Sequence, residues 1–169
     1  MIVHFSRWQR QLAMMLAKAK RDHARTMGLQ DRVVKHKFDR MEVEYLGVLG
    51  ECAAAEVLRC GIHTDLVPDN GTDLADIVGS WTVKTCTKPY YNLMFALEAP
   101  MTADYAVLVL PIEDLVPKEV YDIDALDVYG YATRETFEKH SDLRTDIPLP
   151  ARILKQCHLI PLYALWGTN

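Results

Sequence analysis

The sequence predicts an α/β protein in which helices flank a central mixed β-sheet. Three observations lead there. Apolar residues near the N-terminus recur at helical spacing. Two short strand-like runs flank a Gly79-Ser80 turn. Ala103–Leu110 is an unbroken apolar run, the pattern of a strand buried on both faces. The chain has 169 residues, half of them apolar and a quarter charged. That composition suits a single folded domain over residues 1–169 and argues against disorder.

The first element is expected to be a long amphipathic helix over residues 6–27. Phe5, Trp8, Leu12, Met15, Leu16 and Ala19 form its apolar stripe, Ser6 stands at the N-cap, and Gly28 stops the pattern. Arg7, Arg10, Lys18, Arg21 and Arg25 occupy much of the remaining surface. Leu29–Arg40 is polar and basic and reads as a connector. Residues 1–40 thus form a basic helical arm of net charge +7 on a body of net charge −11. Such asymmetry can mark a nucleic-acid contact, although charge alone favours a solvated helix face.

A second helix is expected over residues 44–58, with Leu46, Leu49, Ala53 and Val57 on its apolar side and Gly61 beyond its end. Glu51 lies off that stripe among the small neighbours Gly47, Ala54 and Ala55. It reads either as an exposed helix glutamate or as a carboxylate able to approach a ligand. A turn at Pro68–Thr72 then leads to strands near 73–78 and 81–87. Pro111 ends the central strand, and a further strand is expected at 127–132. Thr133 offers an N-cap to a short helix over 134–139. The last apolar segment, Cys157–Leu165, is broken by Pro161.

Several function classes are excluded at this level. No phosphate-binding Gly-rich loop, dinucleotide fingerprint or nucleophile elbow is present. No apolar run approaches the roughly 18–20 residues of a membrane span. The N-terminus turns polar at once, without a secretory apolar segment. Cys52, Cys60, Cys86 and Cys157 show neither CxxC nor zinc spacing, so they read as free, buried thiols in a reducing cytoplasm. The six histidines are scattered without ligand spacing.

The hairpin carries the candidate chemistry. With Gly79 and Ser80 as its turn, Asp73, Ala75, Ile77, Thr82 and Lys84 share one face, and Asp76, Trp81 and Val83 share the other. An aspartate can hold a hard divalent cation, and a nearby lysine can stabilise charge on a phosphoryl group. A surface Asp–Lys pair has the same spacing. Lys88, Tyr90 and Tyr91 follow the second strand. Tyrosines there usually pack, with contact to a nucleic-acid base as the functional alternative.

Five segments occur in a set order: Gly47-Val48-Leu49-Gly50-Glu51, Gly71-Thr72-Asp73, Val83-Lys84-Thr85, Ala103-Asp104-Tyr105-Ala106-Val107-Leu108-Val109 and Gly130-Tyr131-Ala132-Thr133-Arg134. Together they resemble small phage- and prophage-encoded members of the PD-(D/E)XK nuclease superfamily over roughly residues 41–140. The resemblance implies a restriction-endonuclease-like core there, preceded by the basic arm and followed by a C-terminal extension over 141–169. It implies metal-dependent hydrolysis of DNA phosphodiester bonds by a phage-encoded protein in a host cytoplasm. Mg²⁺ or Mn²⁺ would be the cofactor, Asp73 and Glu51 the metal ligands, and Lys84 the motif lysine. Arg7, Arg10, Lys18, Arg21 and Lys88 are the candidate DNA contacts, and cleavage of two strands admits a homodimer.

One position departs from the pattern. Thr82 stands two residues before the lysine, where the family has Asp or Glu. Asp76 falls on the wrong face unless a bulge intervenes, and Glu44 sits two helical turns before Glu51. The alternative reading is therefore a degenerate nuclease fold that binds nucleic acid or a partner without cleavage.

Overall fold

A computed structural model of the protein describes residues 1–26, 37–62 and 80–166. The expected strand over 73–78, the turn Pro68–Thr72 and most of the 29–40 connector lie outside them. Among the described residues, β1 (Ile2–His4), β2 (Trp81–Thr85), β4 (Tyr105–Pro111) and β5 (Ala125–Thr133) form one sheet in the order β1-β5-β4-β2. Strands β2 and β4 run parallel and the other neighbours antiparallel, so the sheet is mixed, as expected. A second, antiparallel sheet holds β3 (Leu93–Ala96), β6 (Asp142–Arg144) and β7 (Ala151–Leu154) in the order β3-β7-β6.

The continuous apolar run of β4 is explained by cores on both of its faces. Val107 and Val109 pack with Val83, Leu126 and Val128 against the helices α1 (Arg7–Thr26) and α2 (Arg40–Leu58). Ala106, Leu108 and Leu110 pack instead with Leu93, Phe95 and Leu154 of the second sheet and with Phe137 of the helix α3 (Arg134–His140). The layers are therefore helices, mixed sheet, then the small sheet with α3. The small sheet is an element that the sequence did not lead one to expect. Its strands have three or four residues, and β6 is exposed throughout, so they carry no legible alternation.

The helix α2 starts at Arg40, four residues earlier than the apolar pattern suggests. The cause is a reciprocal cap. Asp39 Oδ1 accepts from the Glu42 amide at 2.9 Å, and Glu42 Oε2 accepts from the Asp39 amide at 2.7 Å. The buried Glu42 carboxylate also accepts from the Lys118 amide. At the other end Arg59, two residues before Gly61, takes the left-handed conformation (φ 54°), and its amide bonds the Ala55 and Glu56 carbonyls.

α1 has nearly the expected length but a different buried face. Ala13 and Ala17 are fully buried, whereas Trp8 and Met15 are 65% and 66% exposed. Two alanines let α1 approach α2 closely, and that proximity outweighs burial of the larger side chains on the adjoining face.

The strand-to-helix step at Gly130–Arg134 locks onto the start of β4. Thr133 caps α3 by accepting from the Thr136 amide at 3.0 Å, as expected. The Arg134 guanidinium donates to the Ala103 carbonyl at 3.2 Å, to the Thr102 carbonyl and to Asp104 Oδ1. The two motif segments thus form one joint. Between Leu108 and Val109 the β4–β5 register shifts, leaving Tyr129 as an extra residue on β5.

Where α2 crosses β2 the helix backbone at Gly50 rests on the Thr85 side chain. A Cβ on Gly50 would lie 1.8 Å from Thr85 Oγ1 and 2.9 Å from Thr85 Cβ. Rotating the hydroxyl away leaves the second clash, so Gly50→Ala should destabilise the fold by about 1–3 kcal/mol. Gly50→Ala with Thr85→Gly should recover much of that loss in a urea titration. A Gly50→Ala protein as stable as wild type would refute this packing.

Candidate functional site

The strand β2 sorts its residues by alternation. Trp81, Val83 and Thr85 face the helices, and Thr82 and Lys84 face the second sheet. Register supports the split, because Val83 neighbours Val107 while Thr82 and Lys84 neighbour Ala106 and Leu108. The expected sharing of one face by Thr82 and Lys84 is thus seen. Ser80, just before the strand, has a left-handed φ of 66°. Its hydroxyl accepts from the Asp104 amide at 3.2 Å.

Lys84 reaches over the Phe95 ring, with Nζ 4.7 Å from the ring centroid. A cation held over an aromatic face is attracted by the ring's quadrupole and is fixed in direction. Thr82 is fully buried. Its hydroxyl is a neutral oxygen in an interior position where a carboxylate would need a cation beside it.

Glu51 follows Gly50 on α2 and is buried, which removes the reading of an exposed helix glutamate. Both of its oxygens accept from Lys20 Nζ of α1 at 2.8 Å. The small residues around Glu51 therefore open a path for Lys20 from the neighbouring helix. Lys20 was not among the residues singled out by charge or spacing. Its i+3 and i+7 relation to the buried Ala17 and Ala13 is the signal that could have marked it as inward-facing.

The arrangement brings the Gly50-Glu51 step of α2 against Thr85, the residue after Lys84. It also puts α2 and Lys84 on opposite faces of β2, so a ligand shared by Glu51 and Lys84 must reach past that strand. Asp73 and Asp76 lie outside the described residues. Glu44 is paired with Arg40 at 3.7 Å on its own helix. Among the described residues no group of three or more His, Cys, Asp or Glu side chains is placed to hold a metal ion.

The proposed nucleic-acid contacts divide. Arg7 and Lys18 are exposed on α1 and stand on one face of it, at an eleven-residue spacing. Arg10 and Arg21 are half-buried instead. Burial raises the pKa of the Tyr45 phenol, and the Arg10 charge partly offsets that rise. Lys88 lies beyond β2, pairing with Asp114 at 3.5 Å. Tyr90 and Tyr91 are exposed, not packed.

All four cysteines are free thiols. Burial pushes Cys52 up to about 11, with the Glu51 charge adding to it, and burial alone pushes Cys86 up to about 11. Cys157 departs from the expected packing role and is exposed. No helix among the described residues is long and apolar enough to cross a membrane.

In comparisons with known proteins, no family model, no curated protein and no solved structure matches this chain.

Lys20→Met leaves a buried carboxylate without its ammonium and should cost about 1.5–3 kcal/mol in urea unfolding. Adding Glu51→Gln should restore part of the loss. A Lys20→Met effect of only a few tenths would show the pair to be a surface contact. Thiol titration gives a second check. At about pH 8 Cys157 should react in the fast phase, and Cys52 and Cys86 only after unfolding.

Proposed function

We propose that the protein is a divalent-metal-dependent nuclease of the PD-(D/E)XK kind that hydrolyses DNA phosphodiester bonds. The observation that carries the reading is the seating of Gly50-Glu51 against Thr85, next to Lys84 at the carboxyl end of β2. Glycine there has no role in helix propensity. It permits the close approach of α2 to β2, with Glu51 as the next residue along the helix. A second support is topological. β2 and β4 are parallel neighbours, and ligands of α/β sheets gather beyond the carboxyl ends of such strands.

The donor chemistry fits a hard cation. Glu51, together with Asp73, would supply carboxylate oxygens of the kind Mg²⁺ and Mn²⁺ prefer. The bound ion would polarise the scissile phosphate and acidify a water. Lys84 would hold its ammonium, steadied by the Phe95 ring, toward the charge that develops on the phosphoryl oxygens. Lys20 pairs with both Glu51 oxygens, and a cation held by Glu51 would take the place of that ammonium. Arg7 and Lys18 would meet the DNA backbone from α1.

A specific observation favours a second reading, a nuclease fold that binds nucleic acid or a partner without cutting. Thr82 is fully buried where an acid is expected, and both oxygens of Glu51 are engaged by Lys20.

Cleavage of a panel of duplex, flap, junction and single-stranded DNAs with Mg²⁺ or Mn²⁺ tests the first reading. Wild type should cut at least one substrate, and Asp73→Ala and Lys84→Ala should each reduce the rate at least about 100-fold, as for loss of an electrostatic catalytic group. Cutting that survives both substitutions defeats the assignment. The Thr82→Asp protein separates the two readings. Cleavage gained by Thr82→Asp from an inactive wild type supports the binding protein, and strong wild-type cleavage removes that alternative.

A further inference from the structure

The loop leaving the carboxyl end of β2 presents two tyrosines to solvent, Tyr90 at 59% and Tyr91 at 42% exposure. Their rings meet edge to face, with centroids 5.5 Å apart and planes at 88°. A single exposed aromatic side chain needs no explanation. Here the surrounding groups hold the pair in place. Gln156 Nε2 donates to the Pro89 carbonyl at 3.0 Å and to the Tyr91 carbonyl at 2.7 Å. The Gln156 amide donates to Asn92 Oδ1 at 3.1 Å. The backbone on both sides of Tyr90 is therefore pinned from a segment more than sixty residues away. Lys88 Nζ donates to the Tyr90 hydroxyl at 2.7 Å and lies 5.2 Å from the ring centroid. A cation, which also pairs with Asp114 at 3.5 Å, is thus held beside two solvent-facing rings on a pinned backbone.

We infer that Tyr90, Tyr91 and Lys88 form a stacking platform for unpaired bases of single-stranded nucleic acid. The placement rests on the nuclease reading in one respect: the loop joins β2, which carries Lys84, to β3, which carries the Phe95 ring beneath it. The chemistry of recognition does not. Bases inside a duplex are stacked on both sides and offer no face to a protruding ring. An unpaired base does, whatever its identity, and the adjacent ammonium suits its phosphate. Pinning of the backbone lowers the ordering cost on binding. A substrate with a single-stranded flap or end would then place its unpaired bases on this loop while its backbone runs toward Lys84.

Binding of labelled oligothymidylate and of a duplex of equal length, followed by fluorescence anisotropy in EDTA, tests the inference apart from cleavage. Wild type should bind the single strand more tightly than the duplex. Tyr90→Ala and Tyr91→Ala should each weaken single-strand binding roughly 5- to 150-fold, the range for loss of one stacked base, with duplex binding unchanged. Tyr91→Phe should retain binding, and Gln156→Ala should weaken it by loosening the loop. These side chains are exposed or peripheral, so circular dichroism should show unchanged folding. The inference is overturned if wild type binds no single strand, if the tyrosine variants bind it as well as wild type, or if strand and duplex binding fall equally. Single-strand binding that follows these expectations in a protein without nuclease activity upholds the platform and defeats the nuclease reading. Cleavage with no effect of the tyrosines on binding does the reverse.

Discussion

The helix α2 can lie on β2 only because Gly50 carries no side chain where it meets Thr85. That contact fixes the height and rotation of the helix over the sheet. It forces Glu51, the next residue, into the interior, and a buried carboxylate requires a counter-charge. The requirement is met from the opposite side by Lys20, which can arrive because α1 approaches α2 on Ala13 and Ala17. Small residues on two helices thus create one charged site. The same helix is anchored at its start by the Asp39–Glu42 reciprocal cap, with Glu42 also tying in the Lys118 amide.

Alternation along β2 then divides the chemistry between two sides of the sheet. The helix side holds Thr85 against Gly50, with Glu51 nearby. The other side holds Lys84 over Phe95 and the buried Thr82. The parallel partner β4 keeps this division rigid, because both of its faces are packed in separate cores. A bulge in β5 sits where the register passes Leu108, the neighbour of Lys84. Bulges reorient strands, and this one turns Tyr129 outward while returning Tyr131 to the helix side. The result is a firm strand end with an anchored aromatic loop beyond it.

Legibility from sequence varied with how local the cause of each element is. The extent of α1, the Thr133 cap, the β4 run and the shared face of Thr82 and Lys84 follow from periodicity and capping chemistry within a few residues. The start of α2 was also written locally, in Asp39 and Glu42. It is concealed by an apolar pattern that begins later. The second sheet was not legible, because its strands are only three or four residues long and form only by pairing segments distant in the chain, such as 93–96 with 151–154. The exposure of Trp8 and Met15 is likewise hidden, since it depends on the approach of α1 to α2, not on the hydrophobicity of α1 itself.

For the candidate site the division is similar. The sequence by itself determined which residue types stand in which order: Gly50-Glu51 on a helix, Thr82 and Lys84 in phase two residues apart on one strand, and tyrosines after them. Those are consequences of helix and strand periods. Only the tertiary structure decided that Glu51 is buried and paired with Lys20, that Lys84 lies over Phe95 on the far face of β2, and that Gln156 holds the tyrosine loop outward. Each of these joins residues distant in the chain. Such contacts follow from close packing in three dimensions, and no local period encodes them.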